Sequence, residues 1–325
     1  MWLGVGMKAI GYTDFGGPEV LRALQLPEPH AGPGQVRVRV HAAAVNPADT
    51  AARSGWMKRN YPPDTLPGGR YPDPPYVTGW DFCGVLDEAP DGGPIGIGER
   101  VVGLTLSPMG KVGAYAEYVV TDSRSVVRAP SDATTVAAST LLMNAVTAYA
   151  MLEALAVPAG GTVAVTGAAG ALGGYAVELA KHQGLRVVAD AAETDDELVK
   201  QLGADVVVRR GDGLAERIRE WVPPGVDGVV DAALYTDAIV PAIRDGGAVT
   251  SARQHVGAGE RSISWHVVSV TGHTTRTDVL STLRDLVEAG ALTLRVADTL
   301  PAERAADAHR RLEAGGLRGR LVLTW

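Results

Sequence analysis

The stretch from Thr162 to Gly174, TVAVTGAAGALGG, limits the possible folds of this chain more than any other segment. Thr162-Val163-Ala164-Val165-Thr166 is short and apolar, with no polar alternation, which fits a strand buried on both faces. Gly167, Gly170 and Gly173 follow at G-x-x-G-x-x-G spacing, and Tyr175 to His182 carries a helical pattern. A buried strand, a glycine turn and a helix form one half of a βαβ unit. Small residues at such a turn let backbone N–H groups approach a pyrophosphate, and the helix N-terminus adds partial positive charge. The segment therefore points to dinucleotide binding, through Gly167, Ala168, Gly170, Ala171, Leu172 and Gly173.

The residues downstream repeat the alternation. Strands are expected at 186–190, 205–208, 228–231, 248–250 and 265–271, and helices at 195–202, 214–222 and 237–243. This is the pattern of a doubly wound α/β domain with a parallel sheet. Upstream the texture differs. Val36 to Val40 alternates with period two, as do 101–104 and 114–120, so the first third reads as β-rich. A long apolar helix is expected over 133–155. Helices at 278–289 and 302–313 and a strand at 320–323 close the chain and return it to the first domain. The expected division is 1–128, 129–271 and 272–325. Clefts between two such domains are frequent small-molecule sites. Residues 61–78, rich in Pro and Gly, read as a loop that could act as a lid. The residues before Met7 read as an extension.

Composition removes several function classes. Hydrophobic residues make up 46% of the 325 positions and charged residues 21%, enough for a sizeable core. The net charge of −7 disfavours nucleic acid as the main partner, since phosphate binding needs a basic footprint. Cys83 is the single cysteine, so neither a disulfide nor a multi-cysteine metal site can form within the chain. No run of 18 apolar residues suggests a membrane span, and the expected location is cytoplasmic. Asp190, at the end of the second strand of the βαβ unit, is suited to a ribose diol and would repel a 2′-phosphate. Arg209 and Arg210 end the next strand and could reach the same ribose. The residues leave NADH and NADPH both open.

Four segments carry a resemblance to a known family. They are Met7-Lys8-Ala9-Ile10 through Gly16-Gly17-Pro18-Glu19-Val20-Leu21; Ala44-Val45-Asn46-Pro47-Ala48-Asp49 with Arg53-Ser54-Gly55; Gly79-Trp80-Asp81-Phe82-Cys83-Gly84; and Val165 to Gly170. With Gly98-Glu99-Arg100-Val101 and Gly113 to Tyr118, the chain resembles the zinc-free quinone oxidoreductase branch of the medium-chain dehydrogenase/reductase superfamily. The resemblance implies a GroES-like β-rich catalytic domain, a Rossmann domain, NAD(P)H and a homodimer.

Zinc-dependent relatives have Cys near the position of Asn46 and His-Glu at that of Trp80-Asp81, so no zinc is expected here. The seven histidines (His30, His41, His182, His255, His266, His273 and His309) show no ligand spacing and read as surface or packing residues. The implied reaction is hydride transfer to the conjugated C=C bond of an enone or enoyl compound, or to a quinone. Asn46 is the foremost catalytic candidate, with an amide able to donate to a substrate carbonyl or the nicotinamide ribose; a turn after the strand is its plain alternative. Asp49 could orient that turn. Many relatives carry a tyrosine where Ala51 or Ala52 stands; Tyr61 and Tyr71, in the Pro-rich loop, could fold over the site as proton-donor candidates, with a surface aromatic as the plain alternative for each. Thr147 matches a position near the nicotinamide, and Ser251 ends a sheet strand where ligands of open α/β sheets bind. Cys83 reads as an inert buried thiol. The rival readings are a pathway-specific enzyme of natural-product assembly and a nucleotide-binding homologue without catalysis.

Overall fold

Alternating apolar residues near the N-terminus build two largely antiparallel sheets, and continuous apolar runs in the middle build a parallel one. One of the first two gains a parallel pair of strands from the C-terminus. The computed structural model describes residues 6–61, 70–90, 92–106, 112–255, 257 and 259–325. The first five residues of the expected extension and residues 62–69 of the expected lid lie outside the described residues.

In chain order the first part comprises β1 (Gly6–Tyr12), β2 (Arg22–Pro27), β3 (Gln35–Ala44), α1 (Pro47–Arg53), α2 (Trp56–Asn60), β4 (Tyr76–Val77), β5 (Asp81–Glu88), β6 (Arg100–Leu104), β7 (Tyr118–Asp122), β8 (Val126–Arg128) and α3 (Thr135–Ala138). The middle part is α4 (Leu142–Leu155), β9 (Thr162–Thr166), α5 (Ala171–His182), β10 (Arg186–Ala191), α6 (Asp196–Gln201), β11 (Val206–Arg209), α7 (Leu214–Trp221), β12 (Val226–Asp231), β13 (Ile243–Ser251) and β14 (Ser264–Val267). The chain ends with α8 (Thr277–Glu288), β15 (Val296–Pro301), α9 (Ala305–Ala314) and β16 (Arg320–Thr324).

The chain divides into two compact units. The first takes the residues up to Met143 with Thr274–Glu288 and Leu294–Trp325; the second takes Asn144–His273 with Ala289–Thr293. The first unit thus runs past the expected 128/129 division. The backbone N–H of Met143 is bonded to the Asp81 carboxylate at 3.1 Å, and Cys83 is bonded to Thr135, which ties α3 and the start of α4 to β5.

Within the first unit, a seven-stranded sheet runs β15-β16-β3-β5-β6-β8, with β7 paired to β3; a second sheet runs β2-β1-β4. β16 pairs antiparallel with β3, from Val322↔Ala44 to Thr324↔Ala42, so the C-terminal segment does return to the first unit. Val38, Phe82, Leu86, Tyr115 and Leu323 fill the core between these elements. Three expectations differ here. The strand expected at 114–120 begins only at Tyr118, because the preceding residues give their backbone groups to β1 and to 78–79, as in Ile10 N–H to Tyr115 O at 2.8 Å and Tyr115 N–H to Thr78 O at 2.9 Å. β2 and β15 were not expected; both expose most of their residues, and so lack an alternating apolar signature. The single helix expected at 133–155 is two helices separated at 139–141.

The second unit is a parallel sheet of order β11-β10-β9-β12-β13-β14, in register from Arg186↔Thr162 across β10 and β9 and from Asp231↔Thr166 across β12 and β9. Val163, Val165, Val187, Val188, Val229 and Val230 are all fully buried. Each contributes roughly 1.5–3 kcal/mol, which explains why these runs are apolar at every position. Two shapes depart from the sequence reading. Residues 236–242 form a 3₁₀ helix with Pro241 inside it, since proline has no N–H to continue an α-helical ladder. β14 stops at Val267, and a 3₁₀ turn follows at Val270–Gly272.

Candidate functional site

The glycine turn lies between β9 and α5, as its sequence required. Gly167 has φ +66°, a region that L-residues with a Cβ avoid. A Cβ on Gly173 would lie 2.2 Å from Gly167 O and 2.8 Å from Ala168 Cα, so only glycine lets α5 pack this close to the turn. Gly170 is the N-cap of α5 and bonds its N–H to Gly167 O at 2.9 Å. Ala171 and Leu172 open the helix, where first-turn N–H groups have no intrahelical acceptor. A narrow turn without side-chain bulk, ending on a helix N-terminus of a 12-residue helix, fits a pyrophosphate. NAD(P)H would be held here by the backbone of 167–173.

Asp190 does not sit as expected. It is 3% exposed, its Oδ1 accepts the Ala168 N–H at 3.2 Å, and its Oδ2 is buried without a hydrogen-bond partner. Burial pushes its carboxyl above the usual range. One oxygen of the carboxylate therefore serves the backbone of the turn, while the other is left without a partner. Asp190 stands on β10 one residue before the strand's end, and its carboxylate reaches across to the turn that follows β9. Arg210, in contrast, is exposed, and its N–H bonds to Ala191 O at 2.9 Å, which fixes it at the C-terminal rim of β10 and β11. Arg209 pairs loosely with Asp196, at 3.3 Å.

Ser251 closes β13 as expected; it is buried, and its Oγ accepts the Arg253 N–H at 3.2 Å. Thr147 is buried in α4. Asp231, at the end of β12, accepts from Thr166 Oγ1 at 2.7 Å, Tyr235 N at 3.0 Å and Thr236 N at 2.8 Å. These bonds hold a loop in which Leu234 and Thr236 take positive φ, and Ala233 of that loop lies beside Gly167.

The first unit gathers the other candidates. Asn46 is the N-cap of α1, and its N–H donates to Asp49 Oδ2 at 2.7 Å. Its amide nitrogen donates to Asp81 Oδ1 at 2.8 Å and to Ala44 O at 3.2 Å. Both amide hydrogens are thus used inside the protein, and Asn46 is 1% exposed. The donor role expected toward a substrate carbonyl would require one of these bonds to open. Asp49 is fully buried and accepts four bonds: Thr78 Oγ1 at 2.5 Å, Gly79 N at 2.8 Å, Asn46 N at 2.7 Å and Tyr115 Oη at 3.3 Å. Burial raises its carboxyl, against the pull of these donors and of nearby Arg320. Asp81, also buried, is pushed up to about 6 by desolvation.

Tyr61 caps the end of α2, half-buried, with its ring edge-on to Trp56 at 6.1 Å. Its hydroxyl is raised by burial. It takes no part in the Asn46–Asp49 web described above.

The sequence reading did not single out Tyr115, His309 or Asp81 as parts of this web. No local spacing could have done so, because the Tyr115–Asp49 and Tyr115–His309 bonds span 66 and 194 residues. Among the described residues there is no group of three or more His, Cys, Asp or Glu that could hold a metal ion. Burial pushes the Cys83 thiol up to about 12, so it is not a thiolate.

The comparisons with known proteins agree with this architecture. Residues 32–131 match the alcohol dehydrogenase GroES-like domain family, and 202–323 match the family described as zinc-binding dehydrogenase. Human quinone oxidoreductase is 28% identical over 98% of this chain and 97% of its own length. The chloroplastic NADPH-dependent alkenal/one oxidoreductase of Arabidopsis thaliana is 30% identical over 98% of this chain and 79% of its own. A mycobacterial structure complexed with NADPH superposes with a TM-score of 0.83 at 28% identity, covering 98% of this chain and 100% of that one. Matched over nearly its whole length, from the first unit through the glycine turn to the returning C-terminal strand, the chain belongs to the medium-chain dehydrogenase/reductase superfamily, in its quinone oxidoreductase branch.

Proposed function

We propose that the protein is a zinc-independent, NADPH-dependent reductase of a quinone or of the activated C=C bond of an enone or enoyl compound. The observation that carries this reading is the turn at 167–173, whose Gly173 position leaves no room for a side chain beside the backbone. The relatives named for quinone and alkenal/one reduction support the acceptor class.

When bound, the nicotinamide would supply a hydride to the electrophilic carbon of the acceptor, whose π electrons would pass to the conjugated oxygen, with a proton from water completing the reduction. The chain's own contribution is binding and shape. The first-turn N–H groups of α5 would meet the pyrophosphate. Exposed Arg210 would meet a 2′-phosphate at the rim of β11, while the Asp190 carboxyl, buried and turned to Ala168, would not oppose it. That contrast favours NADPH over NADH. Asn46, held by Asp81 and Asp49, would shape the wall against which the acceptor's carbonyl lies.

Zinc independence rests on the donor chemistry. Asn46 and Trp80 stand where zinc-dependent relatives have Cys and His, and the Cys83 thiol is buried and protonated. The same proposal takes the protein as a cytoplasmic homodimer. Supporting a dimer, β14 is an edge strand with Val267 45% exposed, and exposed edges favour pairing.

The test is oxidation of NADPH and NADH against a panel of enones, enoyl thioesters and quinones, with elemental analysis of the same sample and light scattering for mass. Turnover preferring NADPH, without stoichiometric zinc, is expected. No oxidation with any acceptor, or zinc at one per chain, would overturn the reading.

A further inference from the structure

In the first unit, the acceptor-only end of one hydrogen-bond chain is Asp49 and its donor-only end is Arg53. Between them lie Tyr115, in the segment before β7, and His309, on α9, both fully buried. Arg53 Nη1 is 3.3 Å from His309 Nδ1, His309 Nε2 is 3.2 Å from Tyr115 Oη, and Tyr115 Oη is 3.3 Å from Asp49 Oδ2. A guanidinium has donors and no acceptor, so Nδ1 must be the bare nitrogen. A neutral imidazole then carries its proton on Nε2. That proton is donated to the Tyr115 oxygen, and the Tyr115 hydroxyl donates to Asp49.

Every bond in the chain points the same way. The direction does not depend on the charge of Asp49, because Arg53 alone settles the tautomer. Burial, helped by Arg53, also lowers His309 to about 3, which keeps the ring neutral. The charged and titratable groups facing this web include Arg53 from α1, with Glu313 of α9 bonded to it, Arg320 from β16, Asp81 from β5 and Tyr12 from β1.

Asp49 is the point where three segments meet: the Asn46 turn, residues 78–79 and the Tyr115 segment. We propose that His309 is a positioning residue which, locked as its Nε2–H tautomer, acts through Tyr115 to orient Asp49 and so the Asn46 and 78–79 segments. The functional part of this inference rests on the reading that the Asn46 segment meets the acceptor. The tautomer part does not.

The test uses the whole chain with three single substitutions. His309→Gln keeps an N–H donor close to the Nε2 place, His309→Leu keeps bulk without a donor, and Tyr115→Phe removes the linking hydroxyl. Nitrogen-15 NMR of His309 is expected to show the neutral Nε2–H form unchanged from pH 5 to 8, with the Nε2 signal shifted in Tyr115→Phe. In steady-state kinetics, His309→Leu and Tyr115→Phe are expected to lower kcat by roughly 10- to 100-fold, the scale of a misplacement near 1 Å. Their NADPH Kd is expected to stay at the wild-type value, and His309→Gln to recover most of the kcat.

An Nδ1–H tautomer, or a ring that titrates in that pH range, would overturn the proposal. So would a folded His309→Leu with wild-type kcat, or a His309→Gln as impaired as His309→Leu. If the wild type turns over no acceptor, the reading of function fails, and the NMR arm alone still decides the tautomer.

Discussion

Replacing Gly173 with alanine puts a Cβ 2.2 Å from Gly167 O, 2.6 Å from Gly167 C and 2.8 Å from Ala168 Cα. All three neighbours are backbone, so no side chain can swing away. Relief requires the turn to move by about 1 Å relative to α5, and such overpacking costs roughly 1–3 kcal/mol. The same movement takes an N–H that would lie about 2.9 Å from a phosphate oxygen out to near 3.9 Å, beyond hydrogen-bond range. One such bond to a charged group is worth roughly 1.5–3 kcal/mol. At 1.4 kcal/mol per factor of ten, the NADPH Kd should rise roughly 10- to 100-fold. Titration calorimetry measures this directly, with Gly170→Ala and Gly272→Ala as graded controls. A Cβ at Gly170 would be 3.1 Å from Gly167 O, and one at Gly272 would meet nothing within 4 Å. The expected order of Kd is Gly173→Ala, then Gly170→Ala, then Gly272→Ala close to wild type. A folded Gly173→Ala protein that binds NADPH as tightly as wild type would refute the close-approach argument.

Three further outcomes follow from the same geometry. Asp231→Ala leaves the Thr166 hydroxyl and the Tyr235 and Thr236 N–H groups without their acceptor; the loss should be about 3 kcal/mol, read by calorimetry as a melting drop on the order of 10 °C. For Asp81, the folded-state carboxyl stands at about 6 against an ordinary 3.8. The folded protein therefore binds the proton more tightly. Stability is full below the unfolded value and falls by about 3 kcal/mol as pH rises from 3.8 to 6. Asp81→Asn should flatten this slope in denaturant titrations across that window, and an unchanged slope would assign it to another group. Arg210→Ala should weaken NADPH binding about tenfold and leave NADH binding nearly unchanged; equal effects on both would remove Arg210 from the 2′-phosphate.

What could be read from the sequence was local. β9, the glycine turn and α5 form one uninterrupted stretch, so a buried apolar run and its glycines announced the fold of the second unit. The antiparallel elements were legible where one face is buried, as in β3, and illegible where both faces are exposed, as in β2 and β15. Composition could not see that Pro241 would turn a helical segment into a 3₁₀ helix.

The candidate site divides the same way. Asn46 and Asp49, three residues apart, form an N-terminal cap whose signal is in the chain itself. Asp190 sits on the expected strand, but its partner Ala168 draws it into the turn, and a strand-end acid in sequence does not reveal which way its carboxylate faces. The Tyr115–His309–Arg53 chain joins residues from three distant segments and exists only after the C-terminal strand has returned to β3.

Hydride transfer from a dinucleotide to carbon is the chemistry on which every proposed role of these residues depends. Single turnover with NADPH deuterated at C4, each stereoisomer in turn, and a cyclic enone tests it most directly. Deuterium from one of the two isomers should appear at the β-carbon of the saturated ketone, in a sample free of zinc. Reduction without deuterium at that carbon, or no NADPH consumption at all, would contradict it.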